Sequence, residues 1–117
     1  AEPAGWDDMR RSLEAGAIVP VGPDPSPTLC DALQTPLVSP ITFGILRQCE
    51  AQVVAVPDSD IAQAVRWAFE NHGLTIESGG AAALAAVLAG TVEAVAGMAI
   101  VLSGGNIDPA LHARMVA

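Results

Sequence analysis

A run of five apolar residues, Met98–Leu102, is the feature that most limits what this chain can fold into. The run offers no polar side chain to face water, and it ends abruptly at Ser103-Gly104-Gly105. Short continuous runs of this kind are typical of strands covered on both faces, as in a parallel sheet. We therefore predict a buried strand here, in a sheet with helices on its faces.

Helices and short extended segments alternate along the rest of the chain. Capping residues and apolar spacing predict helices from Asp7 or Asp8 to Glu14, from Ser39-Pro40 to about Cys49, from Asp58 to Gly73, from Ala81 to Ala89 and from Pro109 onward. Extended segments are predicted at Val53–Val56 and Thr75-Ile76, and a proline-rich loop at Pro20–Pro27. This order predicts an α/β fold, part of an open parallel sheet with flanking helices and no internal domain boundary.

The number of predicted strands is small for such a sheet. Only three short strands are predicted, and a strand covered on both faces needs neighbours on either side. We therefore expect the chain to be part of a larger unit. A small three-stranded domain with exposed sheet edges is the alternative.

Composition excludes several classes of protein. The chain has 13 acidic and 5 basic residues, a net charge of −8 and 3% aromatic residues, which argues against a nucleic-acid surface. It contains no lysine and so supplies no lysine amine for catalysis. The apolar stretch from Gly79 to Leu102 is mostly alanine and glycine without flanking aromatic residues, so no membrane span is predicted. Without a signal peptide, a cytoplasmic location is expected.

The two cysteines, Cys30 and Cys49, lie 19 residues apart and form no metal-binding pattern. We predict buried free thiols rather than a disulfide or a zinc site.

Two glycine-rich segments are candidates for ligand contacts. Val101–Asn106 leaves the carboxyl end of a predicted strand, where parallel sheets bind ligands, and its glycines allow close approach of a planar ligand. Ile76–Gly80 leads into a helix, whose free N–H groups favour negative charge. A third candidate is acidic: Glu2, Asp7 and Asp8 could gather around a hard divalent cation, or they could simply begin a solvated helix.

Four ordered motifs resemble the C-terminal part of the pyridoxal-phosphate-dependent threonine and serine dehydratases and serine racemases. These enzymes have the tryptophan-synthase-β fold, also called fold-type II. The matching residues are Glu2-Pro3 with Asp7-Asp8, Ser12-Leu13 and Ala15-Gly16; Thr28–Leu33; Ile76–Ala81; and Val101–Asn106 with Asp108. Ser78 departs from the family pattern, which often has proline there.

The resemblance implies that residues 1–117 are the C-terminal portion of the large cofactor domain. The catalytic lysine, the substrate-carboxylate loop and the phosphate loop would lie outside this chain, which then holds no catalytic residue. Ser103 would hydrogen-bond the pyridine nitrogen of pyridoxal 5'-phosphate, and the other implied cofactor contacts are Gly104, Ala32 and Glu77. A Mg²⁺ or Ca²⁺ ion would be held by Glu2, the carbonyl of Trp6, and Asp8.

The implied activity is β-elimination of a hydroxy amino acid, giving a 2-oxo acid and ammonia. The partner would be the N-terminal part of the same enzyme, on the same or a separate chain, and the complete enzyme would be a homodimer. The isolated chain would be inactive. The alternatives are a racemase of the same family, or a non-catalytic ligand-binding or partner subunit.

Overall fold

Five helices make up most of the structure, and the sheet between them is small. The computed structural model describes residues 1–117. The helices are α1 (Asp8–Ala15), α2 (Pro40–Gln48), α3 (Asp58–His72), α4 (Ser78–Leu88) and α5 (Pro109–Val116), with a 3₁₀ turn at Asp31–Leu33. The strands are β1 (Glu2–Pro3) and β2 (Ala55–Val56). Every predicted helix is present, but not every predicted cap: Asp7 precedes α1 without a side-chain cap hydrogen bond.

Two helix starts differ from the prediction. Helix α4 begins at Ser78, three residues before the predicted Ala81. Glu77 is the residue before its first turn, and Gly79 and Gly80 lie within that turn. Asp58 is the first residue of α3 and not its cap. Its carboxylate instead accepts hydrogen bonds from Thr28 and Leu29. In α2 and α5 the predicted starts are confirmed: Ser39 caps the first, and Asp108 caps the second through a 2.8 Å bond from the N–H of Leu111.

The sheet consists of one parallel pair, in which Glu2 lies opposite Ala55 and Pro3 opposite Val56. The strand predicted at Met98–Leu102 is absent from this sheet. The segment has no regular secondary structure and pairs with no strand, and Val101 is 77% exposed. The predicted burial on both faces is therefore wrong for the chain by itself, because a strand needs a neighbouring strand on which to form its hydrogen bonds.

The hydrophobic core lies where α3 and α4 pack against each other, with α5 beside α3. Ile61 and Val65 of α3 and Ala81 and Ala85 of α4 are completely buried. Helix α4 contributes mainly alanines, and small side chains allow two helices to approach closely. Because this packing fixes α4, it also fixes the segment that precedes the helix, where the candidate site lies.

Candidate functional site

The two glycine-rich segments singled out in the sequence lie against each other in the structure. The N–H of Glu77 donates to the carbonyl of Gly104 at 3.1 Å. In return, Oε1 of Glu77 accepts a hydrogen bond from the N–H of Asn106 at 2.9 Å. The residue before α4 thus holds the segment after Leu102 by two hydrogen bonds, 27 to 29 residues away along the chain.

This contact leaves no room for side chains at two glycines. A Cβ added to Gly80 would lie 1.8 Å from the carbonyl oxygen of Ser103. A Cβ added to Gly104 would lie 2.5 Å from Cδ of Glu77, and Gly104 has a φ of +74°, which favours glycine. The Ser103 carbonyl can approach α4, and the Glu77 side chain can approach residue 104, only because both positions are glycine.

The 3₁₀ turn that carries Ala32 is held beside the same helix start. Asp58 accepts hydrogen bonds from the hydroxyl of Thr28 at 2.7 Å and from the N–H of Leu29 at 2.8 Å. A Cβ on Gly79 would lie 4.0 Å from the Cβ of Ala32, which places the turn against the first turn of α4. The role of Asp58 was missed because an acidic residue at a helix start is normally interpreted as a cap.

A cleft of about 190 Å³ opens between these segments. Of the predicted cofactor residues, Ala32 and Glu77 line it, whereas Ser103 and Gly104 do not. Its other lining residues are Leu29, Asp31, Ser78, Asn106, Ile107, Asp108 and Leu111. The structure therefore places the four predicted cofactor residues near one another, and two of them line the cleft.

Ser78 is a residue of this cleft that the sequence analysis did not assign to the site. It is 3% exposed, and its hydroxyl makes no hydrogen bond within the protein. Buried hydroxyls normally have a partner, so a free one on a cleft wall indicates a place where a ligand or water binds. The only sequence signal was that serine stands here in place of the proline that many family members have.

Ser103 is exposed, and its hydroxyl makes no hydrogen bond with the rest of the chain. A hydroxyl can donate or accept, so this side chain is free to bond a ring nitrogen. This packing holds Ser103 in place: its carbonyl lies against Gly80, the next residue lies against Glu77, and its own hydroxyl is left unengaged.

The acidic cluster at the start of the chain is arranged around the first turn of α1. Glu2 accepts hydrogen bonds from the N–H groups of Met9 at 3.1 Å and Arg10 at 2.9 Å, so it satisfies free donors of the helix. Asp7 forms an ion pair with Arg10. Asp8 is 1% exposed, and its Oδ2 has no partner.

Burial raises the pKa of both carboxyl groups that were predicted to bind a metal. For Glu2, the nearby Asp8 and Asp7 add to this, while the helix N–H groups oppose it. For Asp8, burial is again the largest cause, opposed by Arg11 and by backbone hydrogen bonds. No group of three or more histidine, cysteine or acidic side chains is close enough to hold a metal. The predicted site has only two such carboxylates and one carbonyl, so it stays a prediction.

The two cysteines are both free, as predicted, but they differ in exposure. Cys30 is buried, and burial raises the pKa of its thiol to about 11. Cys49 is exposed, so the prediction of burial is wrong there.

No helix has the length and apolar character that crossing a membrane would require.

Comparison with known proteins identifies the family of the chain. Residues 1–104 match the family described as "Pyridoxal-phosphate dependent enzyme", and the chain belongs to that family. This confirms the resemblance found in the motifs and the dependence of the family on pyridoxal phosphate.

The relatives carry two kinds of name. A serine racemase from Dictyostelium discoideum is 34% identical over 92% of this chain and 34% of its own length. A putative threonine dehydratase from Sinorhizobium fredii is 36% identical over 92% of this chain and 33% of its own. The crystal structure of a threonine deaminase from T.th. superposes with a TM-score of 0.83 at 36% identity, covering 92% of this chain and 39% of that one. This likeness confirms the α/β fold of fold-type II enzymes, and the chain spans about a third of the length of its relatives.

Proposed function

We propose that residues 1–117 form the C-terminal portion of the cofactor domain of a pyridoxal-phosphate-dependent ammonia-lyase acting on threonine or serine. The observation that carries the proposal is the contact between Glu77 and the 104–106 segment, which holds Ser103 with a free hydroxyl. The names of the relatives support this class of activity, and they are the names of longer proteins.

Within this proposal, Ser103 bonds the pyridine nitrogen, the backbone of Gly104 lies beside it, and Ala32 contacts the ring from the cleft wall. When bound, pyridoxal phosphate withdraws electrons from the α-carbon of an amino acid, so that the α-proton and then the β-hydroxyl can depart. A carboxylate beside the ring nitrogen would hold it protonated, whereas the hydroxyl of Ser103 leaves it largely neutral. Elimination needs only moderate electron withdrawal because the departing hydroxyl carries away the electron pair.

The lysine that such chemistry requires is supplied from outside these residues, because the chain contains none. The isolated chain is therefore expected to show no turnover of L-threonine or L-serine above that of free pyridoxal phosphate. Formation of 2-oxo acid by the isolated chain at an enzymatic rate would contradict the assignment of roles.

The test of Ser103 uses the complete enzyme, with this chain joined to its N-terminal portion. Ser103→Ala removes one hydrogen bond and should weaken cofactor binding roughly 2- to 12-fold, the equivalent of about 0.5–1.5 kcal/mol. Ser103→Asp should instead change the cofactor's absorbance and the ratio of elimination to racemisation. Ser59→Ala, at an exposed serine of α3, is the control. Unchanged affinity and spectra in both Ser103 variants would remove this residue from the pocket.

Racemisation is the second candidate activity, because relatives of nearly equal identity are named serine racemase and threonine dehydratase. The same preparation decides between them. Chiral chromatography of the serine that remains measures D-serine, and a coupled assay measures the 2-oxo acid. The proposal of an ammonia-lyase requires the 2-oxo acid to dominate.

We further propose that Glu2, Asp8 and the carbonyl of Trp6 hold a divalent cation. The buried, unpartnered Oδ2 of Asp8 supports this, as does the carbonyl of Trp6, which accepts no hydrogen bond. Mg²⁺ or Ca²⁺ would offset the repulsion between the carboxylates and so stabilise the fold. The melting temperature of the complete enzyme should fall with chelator and recover with either ion. Glu2→Gln should abolish this response.

A further inference from the structure

Helices α3 and α5 border a groove of about 290 Å³, which we call the arginine groove. Arg66 and Gln63 of α3 and Arg114 of α5 form its polar side. No acidic residue lines it, so the groove carries two positive charges in a chain whose net charge is −8. A local excess of positive charge of this kind attracts anions.

Neither guanidinium of the groove is neutralised by the chain itself. All the ion pairs of the chain involve Arg10 or Arg11, and neither Arg66 nor Arg114 has a carboxylate within ion-pairing distance. The side chain of Arg114 also makes no hydrogen bond, so all of its N–H donors are free. A free guanidinium matches the geometry of a carboxylate, which can accept two parallel hydrogen bonds from it.

The guanidinium of Arg66 is held in a fixed position. Its Nε–H donates to the carbonyl of Met115 at 3.0 Å, and its Nη2 donates to the carbonyl of Ala117. These carbonyls lie at the end of α5, where the helix itself supplies no donor for them. The two bonds leave Nη1 of Arg66 unbonded. Because the side chain is already ordered, it loses little conformational freedom when a ligand binds.

The other side of the groove is apolar and is formed by Leu29, Ala62, Leu111 and Met115. A bare inorganic anion would leave these side chains facing water, whereas a ligand with a short hydrocarbon part would cover them. The volume of about 290 Å³ is at the lower end for small-molecule sites, so the ligand that fits is small.

We propose that the arginine groove binds a short-chain organic carboxylate. The carboxylate lies between the guanidiniums of Arg66 and Arg114, and the hydrocarbon part covers the apolar side. The inference does not rest on the proposed function, because no residue assigned to the cofactor or to the cation lines the groove. Leu29 and Leu111 line both the groove and the cleft of the candidate site, so a carboxylate bound in the groove contacts two side chains of the cleft.

The experiment uses sodium butyrate as the probe, at constant ionic strength. Calorimetry measures its binding to the complete enzyme, in which this chain is joined to its N-terminal portion. NMR measures its binding to the ¹⁵N-labelled 117-residue chain. We expect saturable one-to-one binding in the millimolar range, because a probe of this size makes few contacts. The chain has only five arginines, and the Nε–H signals of Arg66 and Arg114 should shift most.

Arg114→Gln is the decisive variant. It removes an exposed guanidinium that makes no bond within the chain, so the melting temperature should not change. Butyrate binding should weaken roughly fivefold or more, because a hydrogen bond to a charged group is lost. Arg47→Gln is the matched control, since Arg47 is an exposed arginine without a carboxylate partner that lies outside the groove. This control should change the affinity less than about twofold, because salt screens distant exposed charges.

Two further probes test the class of ligand. Inorganic phosphate has negative charge without a hydrocarbon part, and n-butylammonium has the hydrocarbon part with the opposite charge. Each should bind roughly fivefold or more weakly than butyrate. Phosphate binding as tight as that of butyrate would overturn the choice of an organic carboxylate.

Three results would overturn the site itself. The first is the absence of saturable butyrate binding to the complete enzyme in the millimolar range. The second is equal affinity in the wild type and in Arg114→Gln. The third is a loss of affinity in Arg47→Gln as large as that in Arg114→Gln, which would show that butyrate responds to the overall charge and not to the groove.

Discussion

Glu77 fills the space that a side chain on Gly104 would need. Its Cδ lies 2.5 Å from the position of a Cβ on Gly104, while its N–H donates to the Gly104 carbonyl at 3.1 Å. The same carboxylate accepts from the N–H of Asn106. The Glu77 side chain can occupy its position only because residue 104 is glycine. Residues 104–106 are in turn held in place by their hydrogen bonds with Glu77.

Gly104→Ala is expected to break this arrangement. The alanine would displace the Glu77 carboxylate from Asn106, and a hydrogen bond to a charged group contributes roughly 1.5–3 kcal/mol. The control is Gly90→Ala, because Gly90 has the same φ of +74° with no atom near its added Cβ. Both variants pay roughly 1–2 kcal/mol for the left-handed backbone. Urea denaturation should show a larger loss in the free energy of unfolding for Gly104→Ala, and equal losses would contradict the contact.

Gly80→Ala is expected to destabilise the fold although Gly80 lies in a helix. Alanine normally stabilises a helix interior by about 0.5–1 kcal/mol relative to glycine. At Gly80 the added methyl group would meet the Ser103 carbonyl, a backbone atom that cannot move without the whole 103–106 segment. Gly44→Ala in α2 is the control, since no atom lies near its added Cβ, and it should raise the melting temperature. A rise for Gly80→Ala as well would show that the two segments are not in contact.

The helices could be predicted from the sequence because their signals are local. Ser39 and Asp108 each accept a hydrogen bond from an N–H two or three residues further along the chain, so the local sequence is enough to predict these caps. The motifs also identified both glycine-rich segments, although not how Glu77 joins them. The bond from Thr28 to Asp58 spans 30 residues and depends on tertiary packing. The prediction of a strand at 98–102 was wrong for a different reason. The apolar pattern indicates a tendency to be buried, but no strand of this chain lies beside the segment to pair with it.

Asp8→Asn is expected to stabilise the chain at neutral pH when no metal is added. Burial raises the pKa of Asp8 above its ordinary 3.8, so the folded chain binds this proton more tightly than the unfolded chain. Stability therefore falls as the pH rises from the unfolded pKa through the folded one, and the loss is complete above both. The variant removes the buried charge, so at pH 7 its free energy of unfolding should exceed that of the wild type.

The pH dependence of this gain is the decisive measurement. Below both pKa values the wild-type carboxyl is protonated in either state, so the gain should vanish there. Asp24→Asn removes an exposed charge and serves as the control. A gain at pH 7 that persists unchanged in acid would show that ionisation of Asp8 is not its cause.

The two thiols are expected to react at very different rates. Burial raises the pKa of Cys30 to about 11, so at pH 8 little thiolate forms and reagents cannot reach it. Cys49 is exposed and should react with iodoacetamide in the folded chain. Mass spectrometry should find one label under native conditions and two in urea. Labelling of Cys30 before unfolding would contradict the packing around it.

Asp58 connects the start of α3 to the candidate site. Both of its oxygens are bonded to Thr28 and Leu29, so the turn that carries Ala32 is fastened to the first residue of α3. A ligand that pushes on Ala32 must either move the start of that helix or break both bonds. A single side chain therefore couples the position of the cleft wall to the start of a helix about 30 residues further along the chain.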